Sequence, residues 1–391
     1  MSDFYERSTI VHEHLRGKIG VFNKVPIESQ DDLAIAYTPG VAGPCLKIAA
    51  DGALARELTI KRNAVAVVTD GSAVLGLGNI GPLAALPVME GKALLFKEYA
   101  NIDAWPLCLD TQDAGEIVET VRRIAPVFGG INLEDIAAPR CFEVEDRLQD
   151  LGIPVFHDDQ HGTAIVLLAG LINACRVLGR EPAKLRVVIS GAGAAGTAIT
   201  QLLRGVNFTD AEWEPVEDIV VCDSRGAIHR GRAGLSPEKE ALLAHTNAAG
   251  HTGSVHEVLE GADVFIGVSK GGLLDGDDIT RTAPEPIILA RANPEPEIMP
   301  DVALAAGAAI VGTGRSDFPN QVNNVLAFPG IFRGALDAGA KIIDGAMKVA
   351  AAHALADAVA EPVPERILPQ PMDRSVAPLI AAAVRRAAGD P

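Results

Sequence analysis

The chain has 391 residues, enough for two domains at roughly 150 residues each. Hydrophobic residues make up 48% and charged residues 22%, so a large packed core is available and a disordered chain is excluded. Lys plus Arg number 34 against 51 Asp plus Glu, a net charge of -17; this argues against a nucleic-acid partner held by bulk phosphate attraction, but not against a small anionic substrate, because a local site can be positive in an acidic protein.

Residues 1–60 read as mixed helix and loop, broken at Thr38-Pro39-Gly40. Their polar start, MSDFYERSTI, shows no secretory signal. From Ala64 the pattern becomes regular. Residues 64–69 (AVAVVT) form a β-branched apolar strand that ends at Asp70-Gly71, and 89–100 a helix. Residues 104–109 are a second strand candidate, which Pro106 weakens. Residues 114–127 are helical, with Ile117, Val121 and Ile124 at helical spacing. A strand over 130–133, a helix over 141–151, a strand over 153–156 and a helix over 161–178 follow. The apolar stretch 164–174 within that last helix is far short of a membrane span.

A second series starts after Gly179-Arg180-Glu181-Pro182. It has a strand over 185–190, a helix over 194–203, a strand over 219–222 and a helix over 237–244. Strands over 264–268, 287–290 and 309–311 complete an open sheet. Residues 331–361 are Ala-rich and helical, 362–371 Pro-rich, and 376–388 the last helix. Strands alternating with helices predict an α/β protein with parallel sheets covered on both faces. The expected division is an N-terminal α/β domain over 1–160 and a Rossmann-like, doubly wound domain over 161–391. The five cysteines, Cys45, Cys108, Cys141, Cys175 and Cys222, form no CxxC pair, which points to reduced thiols in a cytoplasmic protein.

Four features could carry chemistry. Gly191-Ala192-Gly193-Ala194-Ala195-Gly196 follows a strand and opens a helix, the setting in which glycines let a backbone approach a pyrophosphate at a helix N-terminus. Asp223, at the end of the next strand, would grip the ribose hydroxyls and favours NAD; Arg225 could instead hold a 2′-phosphate. The reading leans to NAD. The polar insert 206–217 explains why Asp223 lies further along than usual.

The second feature is acidic. Glu134 and Asp135 follow one strand, Asp158 and Asp159 another. Carboxylates converging at the C-terminal ends of parallel strands repel one another unless a cation sits between them. Oxygen-only ligands select Mg²⁺ or Mn²⁺ over zinc. His157 and His161 flank the pair as possible ligands, caps or packed rings. Third, Tyr37 sits beside a Pro-Gly turn, a proton donor or a half-buried ring. Lys92 lies on the apolar helix PVMEGKALLF; desolvation there would lower its pKa and suit a general base, whereas a surface position would leave it a snorkelling lysine. Last, Asn293, Asn323 and Asn324 offer amides that can donate to a carboxylate or accept from an alcohol, although NP and NN are also turn signals.

Together, AYTPGV (36–41), VTDGSAVLGLGNIGPLAALPVMEGKALLF (68–96), INLEDIAAP (131–139), PVFHDDQHGTAIV (154–166), GAGAAGTAI (191–199), ANPEPEI (292–298) and GTGRSDFPNQVNNVLAFPGIFRGALD (312–337) resemble the malic enzyme family in its short bacterial form. The resemblance implies oxidative decarboxylation of L-malate to pyruvate and CO₂, with NAD or NADP and a divalent cation, Mg²⁺ or Mn²⁺, as cofactors. It implies that Lys92 is the base on the C2 hydroxyl, Tyr37 the acid that protonates C3, and Asp158 the group that tunes Lys92. Glu134, Asp135 and Asp159 would bind the metal, Asn293 and Asn324 the substrate, and Asn323 would lie near the cofactor. A homodimer is the family expectation; neither nucleic acid nor membrane is expected as a partner.

There are departures. Larger members carry an Arg in the Asp-Gly-x-x-Leu-Gly-Leu-Gly region that pairs with a substrate carboxylate, and residues 70–75 here have none. Arg291 stands where a small or apolar residue is more usual, and Ser269-Lys270-Gly271-Gly272 lacks the Pro often found in that turn. Two other functions compete. A non-decarboxylating 2-hydroxy-acid dehydrogenase would not need the metal acids, and an inactive nucleotide-binding sensor would not need Tyr37 and Lys92.

Overall fold

The structure, a computed structural model, describes residues 2–74, 76–206 and 213–389. Leu75, part of the insert 206–217, and the last two residues lie outside the described residues. The first sheet contains β1 (Ala64–Thr69), β2 (Asp103–Cys108), β3 (Gly130–Leu133) and β4 (Val155–His157), in the order β2-β1-β3-β4. All three pairings are parallel, with Ala64 opposite Asp103, Val65 opposite Gly130 and Ile131 opposite Val155. Pro106 sits on β2 at the sheet edge, where a missing N–H breaks no interior ladder.

The second sheet contains β5 (Arg186–Ser190), β6 (Asp218–Asp223), β7 (Gly226–Ala227), β8 (Val264–Gly267), β9 (Ile287–Ala290) and β10 (Ile310–Thr313). Their order is β10-β9-β8-β5-β6-β7, parallel except for the short β7. The chain winds away from β5 in both directions. That makes the crevice beyond the carboxyl ends of β5 and β8 a topological switch point, where such sheets bind ligands. The sequence pattern missed β7 and the short helices at 255–258, 276–280 and 300–305, which are too brief to show periodicity.

Two long helices pack against the first sheet. The helix Pro82–Ala100 buries Ala85, Met89, Lys92, Ala93, Phe96 and Ala100, a stripe at spacings of three and four. The helix Asp158–Leu178 is apolar and long enough to cross a membrane, but it is a core helix, with 78% of its apolar window buried. It starts three residues earlier than the sequence predicts, so Asp158 and Asp159 form a first helical turn instead of a strand end. The C-terminal helices pack back toward the first sheet: Phe328 and Phe332 meet Phe96 edge-on at 4.7 and 5.3 Å, and Phe332 meets Phe156 at 5.8 Å. By contrast, none of residues 3–63 is buried. They expose Phe4, Tyr5, Phe22, Leu46 and Tyr37, among other large apolar side chains.

Candidate active site

The loops that follow β1 and β3 are laced together. Asp70, fully buried, takes Arg140 Nη2 at 2.7 Å and the Ser72 hydroxyl at 2.5 Å. Ser72 Oγ accepts the Ala137 N–H at 2.9 Å, and the Ala73 N–H reaches the Asp135 carbonyl at 3.0 Å. This lacing fixes Glu134 and Asp135 at the end of β3. Asp135 takes a positive φ of 54°, and its N–H donates to Asp159 Oδ2 at 2.7 Å. Glu134, Asp135 and Asp159 offer carboxylate oxygens that all lie within 4.8 Å of one another.

Lys92 is 7% exposed and points into this cluster. Its Nζ lies 2.5 Å from Asp158 Oδ2 and 2.8 Å from Glu134 Oε1, with the Phe328 ring 4.1 Å away. Asn324 donates to the same Asp158 oxygen. Asp158 Oδ1 is buried and has no hydrogen bond among the described residues. Gly162 makes room for that carboxylate, since a Cβ there would fall 1.9 Å from Oδ1.

The electrostatics correct one expectation. Burial alone would lower the Lys92 ammonium, but Asp158, Glu134 and Asp159 overcome burial and the net direction is upward. Burial, reinforced by Asp159, Asp158 and Asp135, pushes Glu134 well above the carboxylate range against the pull of Lys92. Four carboxylates around one lysine carry surplus negative charge. Their all-oxygen donor set fits a hard dication. Neither histidine belongs to that set: His161 hydrogen-bonds Glu145, at 2.8 Å, and Lys348, and His157 Nδ1 stands 3.7 Å from Asp159.

These groups line a cavity of about 740 Å³. The first half of the chain contributes Lys92, Glu134, Asp135 and Asp159; the second contributes Ala195, Asn293, Asn323, Asn324 and Arg291. Ser269 borders both this cavity and a neighbouring one of about 1060 Å³. Gly191, Gly193 and Asp223 line the larger cavity, together with Arg225, Lys239, Ser254 and Lys270. Gly191 has φ +121° and would bring a Cβ to 2.5 Å from the Val268 carbonyl, so only glycine fits where β5 hands over to the helix opened by Ala194, Ala195 and Gly196. Most of the predicted site residues thus line one of the two cavities; Asp158 joins through Lys92, and Ala194 and Gly196 line neither. Tyr37 is 67% exposed and does not line the cavity.

Asp223 has no free grip for a ribose. It accepts Arg232 on both oxygens at 2.6 Å, Lys239 at 2.6 Å and the Arg225 N–H at 2.8 Å. Burial would raise its carboxyl, but the bonds from Arg232 and Lys239 outweigh burial and hold it down at about 2. The lean toward NAD therefore draws no support from this geometry.

The sequence reading also missed a buried network behind the site. Glu145 accepts from the His157 N–H, Gln160 and His161, while Lys348 reaches His161 Nδ1 at 3.2 Å. Lys348 on the Ala-rich stretch GAMKVAAAHAL carries the same signal as Lys92, a lone cation on an apolar helix.

Residues 16–149 match the malic enzyme N-terminal domain, and residues 160–389 the malic enzyme NAD-binding domain. The chain is 53% identical to the bifunctional malic/malolactic enzyme of Bacillus subtilis over 98% of its own length and 92% of that protein. It is 49% identical to an NADP-dependent malic enzyme of Rhizobium meliloti, over 90% of its own length and 45% of that longer protein. Among solved structures, the NAD-dependent malic enzyme of Thermotoga maritima superposes with a TM-score of 0.92 at 44% identity, covering 96% of this chain and 98% of the other.

Proposed function

The chain belongs to the malic enzyme family, and from that membership we infer that it oxidatively decarboxylates L-malate to pyruvate and CO₂ while reducing NAD⁺ or NADP⁺. The observation that carries this reading is the buried Lys92 at the floor of a cavity with three metal-type carboxylates beside it and the glycine-rich crevice next door. A plain hydroxy-acid dehydrogenase has no use for the carboxylates, and a sensor has none for Lys92.

Lys92 Nζ would take the C2 hydroxyl proton as hydride leaves for the nicotinamide. Asp158 holds that nitrogen in place, and Asn324 holds Asp158. Glu134, Asp135 and Asp159 would hold Mg²⁺ or Mn²⁺. When bound, the cation supplies a Lewis acid for the charge that develops as CO₂ departs. Glu134 and Asp159 raise Lys92 only while their own charge is unspent. Committed to a cation, they would leave Asp158 as the partner that holds Lys92 in place. Asn293 and Asn324 would position substrate, and Gly191, Gly193, Ala194, Ala195, Gly196, Asp223 and Asn323 the dinucleotide.

We read residues 1–160 and 161–391 as two domains that share the cleft, in a cytoplasmic homodimer. The exposed apolar surface of residues 3–63 supports the dimer. It also supports Tyr37 reaching the cleft of a second copy, where it would return a proton to C3. The test is NAD(P)H formation from L-malate with Mn²⁺, with pyruvate and oxaloacetate both assayed. Pyruvate is the expected product, and oxaloacetate alone would overturn the decarboxylating half. Lys92→Ala should abolish turnover and still bind the dinucleotide; wild-type turnover in that variant would remove Lys92 from its role.

A further inference from the structure

Malate carries two carboxylates. The segment that carries a carboxylate-pairing arginine in larger family members offers none here: Ala73 lines the cavity, and residues 70–75 contain no basic side chain. The replacement charge can be sought among the basic residues that line the same cavity, which are His12, Lys18, Lys92 and Arg291. Lys92 is held in contact with Asp158 and Glu134. Lys18 donates to the Pro87 carbonyl from an exposed position, and Glu90 takes its backbone N–H at 3.0 Å. His12 is half-buried on the first helix; its Nδ1 meets the Ser8 carbonyl within that helix, its Nε2 is buried without a hydrogen bond among the described residues, and an imidazole carries no permanent charge for a carboxylate.

Arg291 is different. It follows β9 directly, at the carboxyl edge of the second sheet. Its Nη1 donates to Thr163 Oγ1 at 2.8 Å and its Nε to the Val322 carbonyl at 3.2 Å. Both partners are neutral, so they fix the plane of the guanidinium without cancelling its charge. Thr163 lies one turn along the helix that carries Asp159, and Val322 precedes Asn323 and Asn324. The tether therefore ties the charge to the elements that carry the acids and the amides. Nη2 makes no hydrogen bond among the described residues. Asp158, Asp159 and Glu297 act on the guanidinium at longer range. A planar, permanently charged fork with a spare terminal nitrogen is the group best suited to a carboxylate.

We propose that Arg291 receives one carboxylate of the dicarboxylate substrate and so sets the preference for malate over 2-hydroxy acids with a single carboxylate. This rests on malate as the substrate. The experiment compares wild type, Arg291→Gln and Arg291→Leu, with the KM of L-malate and the inhibition constant of L-lactate measured in each. Lactate keeps the 2-hydroxy-carboxylate and lacks the second carboxylate. Glutamine keeps a donor for the Val322 carbonyl or Thr163 and removes only the charge, so it guards against a folding defect in the leucine variant.

Both variants should raise the malate KM by about 10- to 100-fold, the usual range for losing a charge-assisted hydrogen bond, and leave lactate inhibition unchanged. Protection against thermal unfolding should weaken for malate and stay the same for lactate. An unchanged malate KM in both variants overturns the proposal. So does an equal loss for malate and lactate, which would mark Arg291 as a structural tether or as a partner of the carboxylate the two acids share, neither of which sets the preference. A wild-type chain that fails to oxidise malate would instead overturn the reading on which the proposal rests.

Discussion

Replacing Glu145 by glutamine should cost about 3 kcal/mol of stability near neutral pH. The carboxylate is buried, and each of its oxygens is in use. Oε1 accepts the His157 N–H at 3.2 Å and His161 Nε2 at 2.8 Å; Oε2 accepts Gln160 at 3.0 Å and His161 at 3.0 Å. Lys348, donating to His161 Nδ1, assigns the ring proton to Nε2. Burial alone would raise the Glu145 carboxyl, but His161 and then Lys348 outweigh burial and hold it down at about 2, against an ordinary 4.5. That fall corresponds to roughly 3 kcal/mol, which agrees with the usual cost of about 3–5 kcal/mol for breaking a buried ion pair. A glutamine amide would also turn a donor toward Gln160 or His161 and leave Lys348 without its anion. Because the folded pKa is depressed, the contribution is complete above the unfolded value and is lost as pH falls from about 4.5 toward 2; by about pH 3 roughly 2 kcal/mol of it has gone. Equilibrium urea unfolding of wild type and Glu145→Gln at a series of pH values checks this. The gap between the two proteins should be widest near neutrality and close in acid. A gap below about 1 kcal/mol near neutrality, or one that stays constant into acid, would refute the reasoning.

Three further outcomes follow from the site. Asp159→Asn should weaken Mn²⁺ binding sharply, because it removes the charge of one of three converging carboxylates while leaving an amide oxygen to accept the Asp135 N–H; an unchanged Mn²⁺ titration would sink that assignment. Lys239→Ala should raise the KM for NADP⁺ more than that for NAD⁺, since Lys239 and Arg225 line the nucleotide cavity while the oxygens of Asp223 are already occupied; equal effects on the two dinucleotides would remove Lys239 from recognition of the 2′-phosphate. Mixing Tyr37→Phe and Lys92→Ala chains, each inactive alone, should restore roughly a quarter of wild-type activity if the tyrosine acts across a twofold dimer. No recovery after subunit exchange would place Tyr37 within its own chain.

What the sequence made legible is what depends on short-range pattern. The β-branched runs gave the strands, and the glycine run placed after one of them gave the dinucleotide crevice. Lys92 shows where such reading stops. Its spacing from Met89, Ala93 and Phe96 puts it on a buried stripe, one of the two positions its sequence left open. The sign of its pKa shift was not, because that sign belongs to Asp158, 66 residues away, and to Glu134. Local pattern reports how much water a side chain loses; it does not report which charge replaces the water.

The same limit applies to the residues that no motif contained. Glu145 lies in a helix of ordinary composition with nothing short-range to mark it, and Lys348, a lone cation on an apolar helix, shows its use only where it meets Glu145 through His161. Arg291 was visible as an oddity before Ala-Asn-Pro, yet its use became arguable only once Thr163 and Val322 were seen to hold it at the cavity. Residues 3–63 show the complementary case. Their apolar side chains have the frequency of a chain that packs, but none of these residues is buried within a single copy. Burying Phe4, Tyr5, Phe22 and Leu46 against a second copy would recover a favourable term of roughly 1.5–3 kcal/mol for each fully covered large side chain. The same contact would bring the exposed Tyr37 to the cleft of the second copy, where the proposed function needs it. One association would then answer both anomalies, which is why the mixed-subunit experiment tests the fold of the first 60 residues as directly as it tests the chemistry.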